Sequence, residues 1–138
     1  MADTKISALT SATTPLSGAE VLPIVQSGVT KKVSVVGLMT SNVYAITDGA
    51  SVDIDPANGG IQTWTLGANR TPTATNFAAG QAVTLMIGDG TAYAVTWSTI
   101  GVVWVGGTAP TLPTTGYGVI ELWKVASTVY GAYVGAVA

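Results

Sequence analysis

Short runs of alternating apolar and polar residues are the main pattern along this chain of 138 residues. Gly, Pro, Asn and Asp separate these runs, an arrangement that is typical of β-strands joined by turns. No stretch of useful length shows the period of a helix. The sequence therefore predicts an all-β fold, with strands in the main part of the chain at residues 43–47, 51–54, 61–66, 82–88, 92–97, 102–105, 119–125 and 129–135.

Turn signals between these runs indicate how the strands connect. Residues 55–60 (DPANGG) form a strong turn, Gly88-Asp89-Gly90 is expected to close a hairpin, and residues 126–128 are expected to close another. Many short strands with such turns are typical of two packed β-sheets. We therefore predict a small antiparallel β-sandwich, jelly-roll-like, over residues 41–138.

The first 40 residues contain a separate pattern of two strands. Residues 21–26 are strand-like, Ser27-Gly28 supplies a two-residue turn, and residues 29–35 return as a second alternating strand. Pro23 lacks a backbone donor, so its strand is expected at an edge. Because an isolated hairpin is only marginally stable in water, we predict that residues 1–40 are an attachment arm that packs against another surface.

Composition points to a protein that other chains cover. The chain is 48% hydrophobic and only 9% charged, whereas a soluble domain is typically about 25% charged. The five basic residues are scattered and the net charge is −2, which excludes the phosphate-neutralising patch of a nucleic-acid-binding protein. No apolar run approaches the roughly 20 residues that span a bilayer, and the N-terminus lacks an apolar signal-peptide core. We therefore expect neither nucleic acid nor membrane among its partners.

The sequence contains few of the residues that enzymes use. It has no cysteine and no histidine, so disulfides, thiolate metal sites and imidazole catalysis are excluded. Asp48, Asp53 and Asp55 could together supply oxygen ligands for calcium, but their spacing lacks the glycine and terminal glutamate of the twelve-residue calcium loop. The favoured interpretation is that these aspartates cap turns or lie at a solvated edge. We predict a protein that is not an enzyme and has no cofactor and no metal.

The aromatic residues allow two interpretations. Exposed rings form sugar-binding platforms, whereas large rings more often fill a core or a subunit interface. In residues 92–97, Tyr93, Val95 and Trp97 share one face and small residues share the other, as a packed strand requires. Core or interface is therefore favoured over glycan binding for the tryptophans, which are Trp64, Trp97, Trp104 and Trp123.

The N-terminal segment resembles a motif that opens many tail fibres, tailspikes and other exterior virion proteins of tailed bacteriophages. The matching residues are 5–9 (KISAL) and 16–33 (LSGAEVLPIVQSGVTKKV). In that family the segment is similar to an attachment module. The resemblance implies an attachment role for Leu16, Gly18, Glu20, Leu22, Pro23, Val25, Gln26, Gly28, Lys31 and Lys32.

A second resemblance lies in the β domain. Residues 95–97 (VTW), 106–113 (GGTAPTLP) and 119–125 (VIELWKV) are similar to a recurrent β module of phage structural proteins. Together the resemblances imply an exterior virion protein made in the host cytoplasm, such as a head fibre or a homotrimeric capsid decoration (cement) protein bound to the major capsid protein. The alternatives are a short tail fibre or tail-associated adaptor protein and, less favoured, a carbohydrate-binding module.

Overall fold

The computed structural model describes residues 21–34, 42–88 and 93–137. The chain divides into two compact units, Met1–Thr40 and Ser41–Ala138. Within the described ranges there is no α-helix, and no helix is long and apolar enough to cross a membrane. The predicted all-β class is confirmed. The strands are β1 (Val21–Gln26), β2 (Val29–Ser34), β3 (Val43–Ile46), β4 (Ile61–Thr65), β5 (Ala82–Gly88), β6 (Val103–Trp104), β7 (Tyr117–Val125) and β8 (Thr128–Val137).

The predicted N-terminal hairpin is confirmed. Strands β1 and β2 pair antiparallel, from Val21 opposite Ser34 to Gln26 opposite Val29. The connecting turn has φ of 53° at Ser27 and 75° at Gly28. Positive φ at both central residues is the geometry of a type I′ turn, which matches the twist of the two strands and for which glycine is the favoured residue type.

The second unit contains one six-stranded sheet of mixed direction. Its strand order is β3-β4-β5-β7-β8-β6. Strands β3, β4 and β5 run parallel, β5, β7 and β8 are antiparallel neighbours, and the short β6 runs parallel to β8. The prediction of a purely antiparallel arrangement is therefore corrected, because three of the five pairings are parallel.

Two crossovers explain the parallel pairings. Residues 47–60 and 66–81 lead the chain from the end of one strand back to the start of the next, as parallel strands require. The turn at residues 55–60, which includes a 3₁₀ turn at Pro56–Asn58, lies inside the first crossover and does not form a hairpin. Isolated parallel bridges, Asp53 to Thr73 and Arg70 to Val95, link the segments that follow β3, β4 and β5 into a second layer.

The hairpin predicted at Gly88-Asp89-Gly90 is wrong. Asp89 and Gly90 of the predicted turn lie outside the described residues. Strand β5 already has β4 on one side and β7 on the other, so the described residues 93–97 cannot pair with it. The described part of that segment instead bridges to Arg70, and residues 51–54 likewise form a bridge rather than a full strand. Burial still alternates as predicted, since Tyr93, Val95 and Trp97 pack against the core while the residues between them are exposed.

The core lies between the six-stranded sheet and the second layer. Alternate residues of β4, β5 and β7 point inward and are fully buried, and they meet buried side chains from the connecting segments. Each buried aliphatic side chain stabilises the fold by about 1.5–3 kcal/mol. The two layers give the domain its sandwich-like character. The buried core consists of Val52, Ile54, Trp64, Leu66, Phe77, Val83, Leu85, Ile87, Trp97, Ile120, Leu122 and Val129.

The turn between β7 and β8 offers a simple test of backbone strain. Val125 pairs with Thr128, and Ala126 between them has φ of 52°. A Cβ in this left-handed conformation costs about 1–2 kcal/mol, which glycine avoids. We expect Ala126→Gly to raise the free energy of unfolding by about 0.5–1 kcal/mol in urea denaturation. Ala132→Gly, within β8, is the control and should lower it by a similar amount; a lower stability of Ala126→Gly would contradict the strain.

Candidate interaction surface

Seven of the ten predicted attachment residues lie on the described hairpin. Leu22, Pro23, Val25 and Gln26 are on β1, Gly28 is in the turn, and Lys31 and Lys32 are on β2; all seven are exposed. The other three predicted residues, Leu16, Gly18 and Glu20, lie outside the described residues.

Both faces of the hairpin carry apolar residues next to a lysine. The register places Lys32 opposite Pro23 and Lys31 opposite Ile24, so the two lysines point to opposite faces. The Lys31 ammonium donates a hydrogen bond to Gln26 Oε1 over 3.2 Å. Val25 is 74% exposed. The hairpin therefore presents apolar and cationic groups that suit contact with another protein.

A second surface is the side of the six-stranded sheet that points away from the core, which we call the outer face. It is formed by strand residues that alternate with the buried ones. Most of them are apolar, with a few threonines and one carboxylate. Its members are Val43, Ala45, Ile61, Thr63, Thr65, Ala82, Thr84, Met86, Gly88, Val103, Tyr117, Val119, Glu121, Trp123, Val125, Thr128, Tyr130, Ala132, Gly135 and Val137.

The outer face is apolar; residues near its edges are exposed, and central residues such as Met86 and Trp123 are half-buried. Val43, Val103 and Val137 are 66%, 50% and 48% exposed. A sheet whose second face meets water normally carries polar residues there, and large contiguous apolar patches on a protein surface mark interaction sites. The composition of the outer face is therefore that of a contact surface.

Specific side-chain pairs order the centre of the outer face. Glu121, the one charged strand residue on it, accepts a hydrogen bond from Thr84 Oγ1 over 2.6 Å. Trp123 and Tyr130 form a cross-strand stack with ring centroids 6.0 Å apart and planes inclined by 17°. Aromatic pairs of this kind are enriched in protein interfaces. The hydrogen bond and the aromatic stack therefore hold these four side chains in place without a partner.

The carboxylates singled out in the sequence have structural partners. Asp48 accepts hydrogen bonds from Trp64 Nε1 at 2.9 Å and from the Gly67 backbone N–H at 3.1 Å, and it forms an ion pair with Arg70. The hydrogen bond from the Arg70 guanidinium is the main reason why the pKa of Asp48 falls to about 2. Asp48 therefore ties β4 to the loop that follows it.

Asp53 and Asp55 hold the second layer in place. Thr73 and Thr75 donate their hydroxyls to Asp53, each over 2.6 Å. Burial acts to raise the pKa of Asp53, but these hydrogen bonds outweigh it and lower the pKa. Asp55 accepts from the Ala57 backbone N–H, as a turn cap does. Within residues 21–34, 42–88 and 93–137, no cluster of three or more carboxylates could hold a metal ion.

Comparison with known proteins does not indicate a function for this chain. No protein-family model, curated protein or solved structure matches it. The hairpin and the outer face are therefore the features of the molecule that bear on its function.

A small groove in the second layer is a further candidate site among the described residues. It has a volume of about 220 Å³ and is lined by Tyr93, Trp97 and the 110–112 segment, among others. Trp97 is only 6% exposed and packs edge-on against Trp104, with ring centroids 5.3 Å apart. A sugar-binding platform needs an exposed ring face, so Trp97 fits the core role that the sequence favoured.

Sequence reasoning singled out the hairpin but missed the outer face. The signal is present in β5 (AVTLMIG) and β7 (YGVIELWKV), because both strands carry apolar residues at outward as well as inward positions. Near-continuous apolar strands are typical of sheets covered on both faces.

Proposed function

We propose that this protein is a structural component of the bacteriophage virion exterior. It acts as a homotrimeric capsid decoration, or cement, protein that binds the major capsid protein. The observation that carries the proposal is that one chain with only 9% charged residues carries two apolar surfaces accessible to other proteins, the hairpin and the outer face. Such a chain is suited to permanent contact with other proteins rather than to catalysis.

The hairpin is proposed as the attachment device. Its sequence carries the resemblance to the N-terminal segment of phage exterior proteins, and its described attachment residues are all exposed. Within an assembly, apolar residues of the hairpin would be buried against the shell while the lysines meet acidic groups. That burial would supply the stability that an isolated hairpin lacks.

Deletion of residues 1–40 tests this role. The second unit has its own core, so the truncated protein should remain folded by circular dichroism. We expect it to lose binding to purified particles that lack the protein, whereas the full chain binds and saturates them. Co-sedimentation with the particles measures both. The proposal fails if the truncated protein decorates particles at full occupancy.

A point variant sharpens the test. Val25→Asp places a charge on the hairpin at a residue that is 74% exposed, so folding should be unaffected. Burial of that carboxylate against the shell should weaken particle binding at least about tenfold. Val105→Asp, at a site in the second unit that is 64% exposed, is the matched control and should bind normally. Equal binding of both variants would argue against attachment through the hairpin.

A short tail fibre or tail-associated adaptor is the second candidate, because the N-terminal motif also resembles that of tail fibres. The two functions differ in copy number, since a decoration protein covers the shell while tail proteins occupy a few sites. Quantitative mass spectrometry of the parent particle separates them. A ratio to the major capsid protein near that of a shell-covering protein supports decoration, and a ratio of a few copies per particle supports the tail.

A further inference from the structure

We infer that copies of this chain associate with one another through the outer face of the six-stranded sheet. The inference rests on the proposed role as an exterior structural protein and names which of the two surfaces joins copies. A face-to-face contact joins two copies, so it predicts a dimer where the proposed function names a trimer. The occupant of the outer face is another copy of the same chain.

The near absence of charge on the outer face favours another copy of this chain as its partner. An acidic or basic partner would need charges of the opposite sign on this face, but the only ionisable acid or base among its strand residues is Glu121, apart from the tyrosines. Glu121 already accepts a hydrogen bond from Thr84. A nearly neutral surface is complementary to itself, since like charges do not meet in quantity when two copies approach.

Area is the second argument. Sheet residues cover about 16 Å² each, at about 3.3 Å along a strand and about 4.8 Å between strands. The five strands β3, β4, β5, β7 and β8 therefore present about 550 Å² of outer face, and two such faces bury about 1,100 Å². This is slightly below the roughly 1,200 Å² of standard stable interfaces but above the about 1,000 Å² that a biological interface should exceed. The contact is large enough to join copies only if nearly the whole outer face takes part.

Shape is the third argument. Flat sheet faces pack against each other about 10 Å apart, as the layers of a sandwich do. The stacked Trp123 and Tyr130 and the neighbouring Met86 give this face large side chains that can interdigitate with those of a copy. A copy presents the same face at equal concentration, whereas a capsid subunit is proposed to be bound by the hairpin.

Charged substitutions on the outer face test the inference. Ile61→Lys and Met86→Lys each place an ammonium among outward side chains of β4 and β5. We expect light scattering behind size exclusion to report an oligomer of the 13.9 kDa chain for the wild type, and a dissociation constant at least about tenfold weaker for each variant. Ala50→Lys, at an exposed site in the crossover between β3 and β4 and outside the sheet, is the matched control and should associate like the wild type.

A second variant acts in the opposite direction. Glu121→Gln removes the carboxylate that association would desolvate and retains an oxygen that can accept from Thr84. We expect it to associate several-fold more tightly. This outcome does not depend on whether the lysine variants fold, which circular dichroism checks separately.

The results also separate the inference from the proposed function. A monomeric wild type, or folded lysine variants that associate like the wild type, overturns the inference. Binding of those same proteins to particles would nevertheless leave the decoration role standing. A wild-type dimer that the lysine substitutions dissociate supports the inference and contradicts only the trimer of the proposed function.

Discussion

Replacing Gln62 with glutamate is expected to lower the free energy of unfolding by about 3–5 kcal/mol at pH 8. Gln62 is fully buried on β4. Its side-chain amide donates hydrogen bonds to the backbone oxygens of Asp55 at 2.7 Å and Gly59 at 3.0 Å. An ionised carboxylate there would lose both donors and place a negative charge against two carbonyl oxygens. The variant should therefore release the crossover between β3 and β4 from the sheet.

The loss should depend on pH in a defined direction. Burial raises the pKa of the new carboxyl above its unfolded value of about 4.3. The stability of the variant is then retained below that value and is lost as the pH rises through the folded pKa. The neutral acid also keeps one O–H to donate to Asp55 or Gly59.

Gln62→Leu is the control, because it removes both hydrogen bonds without adding a titrating group. Its deficit relative to wild type should be equal at pH 5 and pH 8, whereas that of Gln62→Glu should be larger at pH 8. Urea denaturation at the two pH values measures this. Equal deficits for Gln62→Glu would contradict the buried position of the amide.

Asp48→Asn is expected to lower the free energy of unfolding by about 2–3 kcal/mol. The carboxylate accepts from the buried Trp64 indole and the Gly67 backbone and pairs with Arg70. An asparagine has one acceptor oxygen, and its NH₂ group would face another donor. At least one of these donors is then left without a partner at a partly buried site, which costs more than the hydrogen bond itself contributes.

The same carboxylate shapes the acid stability of the wild type. Its pKa in the folded protein is about 2, against 3.8 as the ordinary value, so its stabilisation is present above about pH 4 and is lost as the pH falls towards 2. The lowered pKa of Asp53 acts in the same direction. With no histidine in the chain, stability should be nearly flat between about pH 5 and 8.

Denaturation of wild type and Asp48→Asn across pH 2–8 measures this profile. We expect the wild type to lose stability only on the acid side, and the variant to lose less there because it has already lost the Asp48 contribution. A sharp loss of wild-type stability near pH 6.5 would be incompatible with this account. So would a loss of stability between pH 4 and pH 2 that is as large in Asp48→Asn as in the wild type.

The sequence by itself determined the local structure of this protein. Alternation predicted β4, β5, β7 and β8 close to their observed bounds, and Ser27-Gly28 predicted the N-terminal hairpin with its positive φ values. These features depend on neighbouring residues: the side-chain period of a strand and the backbone freedom of a glycine are readable within a few positions. Low charge likewise predicted a protein that other chains cover, which remains a prediction.

Only the tertiary structure decided how the strands pair. A turn signal shows that the chain bends, but not whether it returns as a hairpin or crosses over. Residues 55–60 turn as predicted, inside a crossover, whereas the hairpin expected at Gly88-Asp89-Gly90 is wrong because β5 pairs with β4 and β7. The partners of Asp48 lie 16 to 22 residues away, and the outer face gathers residues from six strands. Such contacts arise because burial of the core selects one strand order among several that satisfy the same local pattern. The outer face could therefore be recognised only once that order was known.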